Sequence, residues 1–401
     1  MNDSAKLKDV SKHIYGIDVL RFFSAVMVAT LHYRANGEAN SFFQALLGKF
    51  HIPAHAPTAA PSGFDFMGYL GVQIFFMISG FVISGSLTRS QGPRKFFEGR
   101  FLRIYPTLVI CTVMSLILCW ATGNLSLGQG LVRFVRSLLL TPFGQHVDDV
   151  VWTLSVEVIF YAVAGILFFA GDKKLNWLLV YLTASSCFFW TAIFLDQTFH
   201  LLPSSHEQLF YKIGRTCLWE YGQYFSLGII IYRLNILKNV GAMQRMLAGV
   251  CVFLAAANLI FITNFFASDP HNAGAFKSPV PALIVFFISA LAMQFFVRYR
   301  GIWAKLPAFA LKIIEILGLS TYPFYLSHYF IGSLFALTVS LFDGQRYVTI
   351  SVVIGTTIIS SIIAKWIDPP VGRAFKAGIA LIFDVVKFGA SRPIEKDSSK
   401  L

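Results

Sequence analysis

The stretch GIDVLRFFSAVMVATLHY, residues 16–33, has the length and apolar content of a membrane-spanning helix, yet it contains Asp18, Arg21 and His32. About 20 predominantly apolar residues cross the hydrocarbon core of a bilayer as a helix. A charged side chain at that depth is costly, so it needs a partner or a function. The stretch therefore predicts a membrane helix whose polar residues face the interior of a helix bundle.

The rest of the chain has the same apolar character. Its 401 residues are 56% hydrophobic and 13% charged, whereas charged residues make up about 25% of an ordinary soluble domain. The predicted fold class is all-α: a polytopic membrane protein with a bundle of about ten transmembrane helices. The predicted spans lie near residues 17–35, 68–88, 104–120, 152–170, 176–194, 218–232, 247–265, 279–297, 315–340 and 348–366.

The net charge of +13 is distributed unevenly between the loops. With the N-terminus inside the cell, the cytoplasmic segments hold 25 Lys and Arg residues and the external segments hold 8. This asymmetry follows the positive-inside rule and predicts that both termini are cytoplasmic. The basic surplus therefore indicates a lipid bilayer as partner and argues against a nucleic-acid partner.

The chain divides into three predicted parts: a cytoplasmic segment (1–16), a membrane domain (17–370), and a cytoplasmic amphipathic helix with a disordered tail (371–401). Residues 374–389 within the last part, AFKAGIALIFDVVKFG, fit an amphipathic helix on the inner leaflet, and an eleventh span is the alternative.

No metal site is predicted. The five cysteines show no metal-ligand spacing. His51 and His55 are four residues apart, but Pro53 between them disfavours a metal-binding helix.

The polar residues of the opening helix share one face. The eleven positions from Arg21 to His32 amount to three turns plus about 20°, and Asp18 lies about 60° to the other side. At 1.5 Å per residue, His32 lies roughly 16 Å further out than Arg21, which is near the cytoplasmic boundary. Arg21 alone also fits snorkelling to the inner headgroups, whereas a histidine deep in the bilayer favours a function.

A pair of arginines marks the cytoplasmic end of the third span. Arg100 and Arg103 are three residues apart, so they share a helix face. Two guanidinium groups on adjacent turns suit a polyanionic ligand that arrives from the cytoplasm, and positive-inside anchoring is the alternative. On the preceding span, Gly80 and Ser84 form a small-residue pair that predicts close helix packing.

The segment VVWTLSVEVIFYAVAG (150–165) carries a carboxylate into the membrane. Glu157 lies about six residues into its span, with Tyr161 one turn deeper on the same face. It needs a cationic or hydrogen-bonding partner, and a purely structural ion pair is the alternative. Trp152 fits an interfacial anchor.

The segment LGLSTYPFYLSHYFIG (317–332) carries a stripe of tyrosines and a second intramembrane histidine, on a helix kinked or loosened near Pro323. Tyr325 and His328 are its candidate site residues, with helix packing as the alternative. His32, Glu157 and His328 are all predicted in the outer half of the bilayer, within roughly 6 Å in height. A histidine paired with a carboxylate can take a proton from a hydroxyl nucleophile.

Taken together, these motifs resemble the acyltransferase-3 family of integral membrane acyltransferases. The resemblance covers residues 16 to about 370 and rests on the segments GIDVLRFFSAVMVATLHY, GVQIFFMISGFVIS, FFEGRFLRIYP, WTLSVEVIFY and LSTYPFYLSHY, in the family's order.

The resemblance implies a ten-helix bundle in the bacterial inner membrane. It also implies transfer of an acyl group, usually acetyl from acetyl-CoA, to a hydroxyl of an extracytoplasmic glycan such as lipopolysaccharide O-antigen, exopolysaccharide or a lipid-linked oligosaccharide. By motif, His32 would be the catalytic residue, supported by Arg21 and with Glu157 essential, while Arg100 and Arg103 would serve the CoA donor. Many relatives carry a fused SGNH-hydrolase domain. We expect a stand-alone member here, in which transfer is completed either by this chain or by a partner acyltransferase.

A transporter that moves a glycan or acyl carrier without chemistry is the alternative, because proton relays also use intramembrane His and Glu residues. The absence of a detectable internal repeat and the arginines at a cytoplasmic mouth favour the enzyme. A catalytically inactive assembly subunit is disfavoured because the motif residues are intact.

Overall fold

A computed structural model of the chain describes residues 13–35, 41–52, 67–170, 175–201, 203–268, 278–342 and 347–390. The predicted features at His55, in the first 12 residues and in the tail from residue 391 lie outside these ranges. All regular structure within them is helical, which confirms the predicted all-α class.

The helices are numbered in chain order. They are α1 (Tyr15–Thr30), α2 (Ser41–Lys49), α3 (Leu70–Arg89), α4 (Pro93–Thr122), α5 (Leu127–Leu138), α6 (Val151–Phe169), α7 (Leu175–Phe199), α8 (Ser204–Thr216), α9 (Gly222–Tyr232), α10 (Ala242–Ser268), α11 (Val280–Arg298), α12 (Ala308–Ser327), α13 (Phe330–Ser340), α14 (Val348–Ile362) and α15 (Asp368–Ala390). Short π-helical turns extend α1 (Leu31–Ala35) and α9 (Arg233–Leu237) and join α14 to α15 (Ile363–Ile367).

Within the described residues, eight helices are long and apolar enough to cross a membrane. They correspond to eight of the ten predicted spans and confirm a multi-pass membrane protein. The other two predicted spans, near 17–35 and 218–232, are helical but do not belong to this set. The first carries Asp18 and Arg21, and the second, α9, has 11 residues before its π turn.

These two helices form the centre of the bundle. Helix α9 packs most extensively against α3, and α1 packs against α12 and α3. Every residue of α9 is buried. Gly80 permits the α3–α9 contact, because a Cβ atom there would lie 2.1 Å from the carbonyl oxygen of Phe225. The close packing predicted for Gly80 is therefore confirmed.

Helix α4 begins earlier than its apolar segment indicates. The predicted span starts near 104, whereas the helix starts at Pro93, continues through Pro106 and has 30 residues. A proline in the first turn loses no helical hydrogen bond, since that N–H would be unpaired anyway. Arg100 and Arg103 consequently lie inside an established helix, which fixes both side chains on one face.

The break in the ninth predicted span, near 315–340, lies beyond Pro323. This proline is inside α12, which continues to Ser327, and α13 starts at Phe330. His328 and Tyr329 separate the two helices, although the backbone at both residues keeps right-handed helical dihedral angles. A proline can be accommodated within a membrane helix when neighbouring groups pair with the freed backbone.

Residues 374–389 are helical, as part of α15. The apolar helical stretch that runs from α14 into α15 has 34 residues, Val348–Leu381, whereas about 20 residues suffice to span the hydrocarbon core. Phe375 packs against Phe101 of α4, and Asp368 accepts a hydrogen bond from Thr107. The start of α15 is thus held beside the arginine-bearing part of α4.

Candidate active site

A cavity lies among α1, α3, α4, α6 and α12. It has about 890 Å³ of empty space when the open mouth is included. Its charged and hydrogen-bonding lining residues are Arg21, Ser79, Arg100, Arg103, Thr153, Glu157, Tyr161, Thr321, Tyr322 and Tyr325. The structure therefore brings together Arg21, both arginines of α4, Glu157, Tyr161 and Tyr325 among the predicted site residues.

Three guanidinium groups face this cavity together. Arg21 comes from α1, and Arg100 and Arg103 come from α4. No carboxylate of the described residues forms a salt bridge with any of the three. The Nε atom of Arg100 is buried and has no hydrogen-bond partner there either. Arg21 and Arg100 are half-buried and Arg103 is exposed, and three neighbouring guanidinium groups have the chemistry to bind a multiply charged anion.

Glu157 is the cavity's carboxylate. Its Oε1 atom accepts hydrogen bonds from the Ser79 hydroxyl and the Tyr161 hydroxyl, each at 2.6 Å. The guanidinium of Arg100 lies 5.9 Å from the centre of the Tyr161 ring. The predicted hydrogen-bonding partner of Glu157 is thus a pair of hydroxyl groups, and Ser79 is a site residue that the sequence reasoning missed.

His32 is placed elsewhere. It lies in the π turn that follows α1, and it is outside the cavity lining. The centre of its ring is 5.4 Å from that of His328 and 5.3 Å from that of Tyr329. The structure therefore brings His32 together with His328, while Glu157 lies with the arginines.

His328 is fully buried at the α12–α13 break. Its Nδ1 atom is 2.8 Å from the carbonyl oxygen of Tyr325, and its ring stacks on Phe324. Tyr325 in turn lines the cavity and shares a 2.8 Å hydrogen bond with the hydroxyl of Thr153. Tyr325 thus lies between the cavity and the histidine pair.

Tyr33 connects the π turn to the α12–α13 break. Its hydroxyl lies 2.8 Å from the carbonyl oxygens of His328 and Tyr329 and 2.9 Å from the hydroxyl of Ser333. One phenol thus contacts two backbone carbonyl groups between α12 and α13. Tyr33 is adjacent to His32, so this anchor also fixes the position of the histidine.

Asp18 occupies a separate position near the N-terminal end of α1. Its carboxylate is bonded to Nε2 of His13, and a Cβ atom at Gly318 would lie 2.4 Å from its Cγ. The hydrogen bond that His13 donates to this carboxylate is the main cause that raises the pKa of His13 above its usual 6.5. His13 was not predicted, although a histidine five residues before an intramembrane aspartate was a visible signal.

Trp152 belongs to a cluster beside the cavity. The guanidinium of Arg215 stacks over its ring at 4.5 Å and pairs with Glu220 at 3.2 Å. The centre of the Tyr221 ring lies 6.0 Å from that of Trp152 and 5.0 Å from that of Phe76, a residue of the cavity lining. Thr153, the residue after Trp152, also lines the cavity. Trp152 therefore packs α6 against α8 and the turn before α9, and it is not part of the cavity lining.

Comparisons with known proteins identify relatives of parts of the chain. Two curated relatives are an O-acetyl transferase of Shigella phage Sf6, 27% identical over 165 residues, and Nodulation protein 10 of Rhizobium leguminosarum bv. viciae, 32% identical over 112 residues. The first alignment covers 37% of this chain and 44% of the relative, and the second covers 23% and 30%. The chain thus matches less than half the length of either relative. No solved structure matches.

The family comparison covers far more of the chain. The model of the acyltransferase-3 family, described as an acyltransferase domain, matches residues 14–365. This range includes every helix that lines the cavity and both histidines of the His32–His328 pair. The chain is a member of the acyltransferase-3 family.

Proposed function

We propose that this protein is a membrane O-acetyltransferase. It takes the acetyl group of acetyl-CoA, which enters from the cytoplasm, and transfers it to a hydroxyl of an extracytoplasmic glycan. The names of its relatives support acetyl transfer to oxygen, and the positive-inside distribution supports an inner-membrane protein with both termini in the cytoplasm.

The observation that carries the proposal is the cluster of Arg21, Arg100 and Arg103 in one cavity without a carboxylate partner among the described residues. CoA carries its phosphates at one end and its thioester at the other. Guanidinium groups bind phosphates through paired, charge-assisted hydrogen bonds. The buried and unpartnered Nε of Arg100 adds a donor to this set.

The spacing along α1 supports a donor bound lengthwise. His32 follows Arg21 by eleven residues, which corresponds to roughly 16 Å along a helix. A CoA molecule whose phosphates contact the arginines extends its thioester towards Tyr325 and the histidine pair. The acceptor glycan then approaches His32 from the external side.

In this mechanism His32 removes the proton of the acceptor hydroxyl, whose oxygen attacks the thioester carbonyl carbon. The tetrahedral intermediate collapses with cleavage of the C–S bond, and the His32 imidazolium returns the proton to the departing CoA thiolate. The products are the acetylated glycan and free CoA. Glu157 keeps Ser79 and Tyr161 in place and offsets part of the arginine charge.

The test uses purified protein, labelled acetyl-CoA and the envelope glycan fraction of the native host. We expect CoA release and label in the glycan, both abolished in His32→Ala and unchanged in His200→Ala, a matched change at an exposed histidine. Normal transfer by His32→Ala would overturn the mechanism. A protein that moves glycan without releasing CoA would be the transporter alternative.

A further inference from the structure

The carboxylate expected beside His32 lies in the arginine cavity instead. The Oε1 atom of Glu157 is engaged by Ser79 and Tyr161. A general base in an apolar site still needs a group that fixes its ring orientation and receives its second N–H. The group that orients His32 and accepts its second N–H must therefore be found among the other residues that contact its ring.

His328 has the required atom in the required state. Its Nδ1 faces the carbonyl oxygen of Tyr325 at 2.8 Å, and a carbonyl only accepts hydrogen bonds, so Nδ1 carries the proton. The lone pair of a neutral His328 is therefore on Nε2. This atom is fully buried and has no hydrogen-bond partner among the described residues, which is rare for a buried polar group.

The two rings are close enough for direct contact. Two imidazoles joined edge to edge by a hydrogen bond of about 2.9 Å have ring centres about 5 Å apart, and those of His32 and His328 are 5.4 Å apart. Stacking on Phe324 and the bond to Tyr325 hold His328, so the His32 ring is the one that reorients to make this contact. Tyr33 and Tyr329 are the other titratable groups at this junction.

We propose that His328 is the positioning residue of His32: its Nε2 accepts the N–H of His32 and leaves the other His32 nitrogen to receive the proton of the acceptor hydroxyl. This inference rests on the proposed function. A neutral acceptor suits this place, because a second carboxylate in an apolar interior would carry a large desolvation cost.

The test compares His328→Phe, which keeps an aromatic ring but removes the acceptor, with His328→Gln, which keeps an acceptor oxygen. We expect His328→Phe to lower kcat about 10- to 100-fold, as loss of an orienting partner does, with KM for acetyl-CoA changed less than about twofold. His328→Gln should recover part of kcat. Tyr224→Phe is the structural control: it removes a buried hydrogen bond to Asn258 outside the cavity lining, and we expect it to lower thermal stability without lowering kcat selectively over KM.

Two outcomes separate the inference from the proposed function. An active His32→Ala overturns the function itself, whereas an inactive His32→Ala together with a wild-type kcat in His328→Phe overturns only the role of His328. Equal losses in His328→Phe and His328→Gln would also overturn it. Should His328→Phe not fold, as judged by stabilisation with acetyl-CoA, His328→Met provides a second variant without a nitrogen or oxygen acceptor.

Discussion

Replacing Arg100 by Gln should weaken donor binding without harming the free protein. In the free protein this side chain makes few compensating contacts. Its Nε is buried and unpartnered among the described residues, and its contact with the Tyr161 ring, at 5.9 Å, is at the outer limit of about 6 Å for a cation–π interaction. Its positive charge also adds to those of Arg21 and Arg103 in one cavity.

The expected loss of acetyl-CoA affinity follows from the hydrogen bonds between its phosphates and Arg100. A hydrogen bond to a charged group contributes about 1.5–3 kcal/mol, so Arg100→Gln should weaken acetyl-CoA binding about 10- to 150-fold. At a concentration of 100 times Kd, a ligand stabilises a protein by about 2.7 kcal/mol. A 100-fold loss of affinity lowers this to about 0.4 kcal/mol.

Thermal unfolding in detergent, with acetyl-CoA or with S-acetylpantetheine, measures this effect. S-acetylpantetheine has the thioester but no phosphate, so the mutation should abolish most of the acetyl-CoA shift and leave any S-acetylpantetheine shift unchanged. Without ligand, Arg100→Gln should be as stable as the wild type or more stable, because like charges no longer repel.

The matched control is Arg94→Gln, an exposed cation near the start of the same helix and outside the cavity lining. It should retain the full acetyl-CoA shift. An unaltered shift in Arg100→Gln, or an equal loss with both ligands, would refute the assignment of Arg100 to the donor phosphates.

Two further predictions concern the fold around the site. Gly228→Ala should lower the free energy of unfolding by about 1–3 kcal/mol, the usual cost of overpacking, because the new Cβ would lie 1.9 Å from the carbonyl oxygen of Met77. Thermal unfolding should show this loss. The control is Gly249→Ala, which should not destabilise the protein because its Cβ would point into open space. The raised pKa of His13 means that its bond to Asp18 stabilises the fold fully below about pH 6.5 and less as the pH rises through the raised value. Unfolding midpoints from about pH 5.5 to pH 8.5 should therefore decline more in the wild type than in His13→Gln, and parallel curves would contradict the assignment.

Local sequence patterns predicted the features that depend on one helix. The three-residue spacing of Arg100 and Arg103 placed both on one face, and the structure has both in the cavity. The apolar segments predicted eight helices that meet the requirements of a membrane span. Hydropathy misplaced the start of α4, because its first turns carry charged residues; the sequence Gly92-Pro93 was the signal for that start.

Contacts between distant segments could not be predicted in the same way. Tyr33 bonds to groups nearly 300 residues away, and Ser79 bonds to Glu157 across two helices. Periodicity states which face a residue occupies, but it does not state which helix lies opposite that face. The position of His32 adds a second reason, since the expected geometry assumed a regular helix and the chain adopts a π turn from Leu31, which changes the directions of the side chains.

The polar residues at the two ends of the first span explain together why a membrane helix carries charge. Near the N-terminal end Arg21 joins two arginines that lack carboxylate partners among the described residues, and beyond the C-terminal end His32 meets His328. A rigid helix keeps these ends at a fixed separation, so a donor with phosphates at one end and a thioester at the other contacts both only in an extended form. A soluble enzyme would obtain the same spacing from a loop, but in a bilayer the backbone must satisfy its own hydrogen bonds. Under the proposed function, Arg21 on α1 binds the donor phosphates and His32, in the turn that follows α1, lies near the thioester, which gives both polar residues of the first span a role.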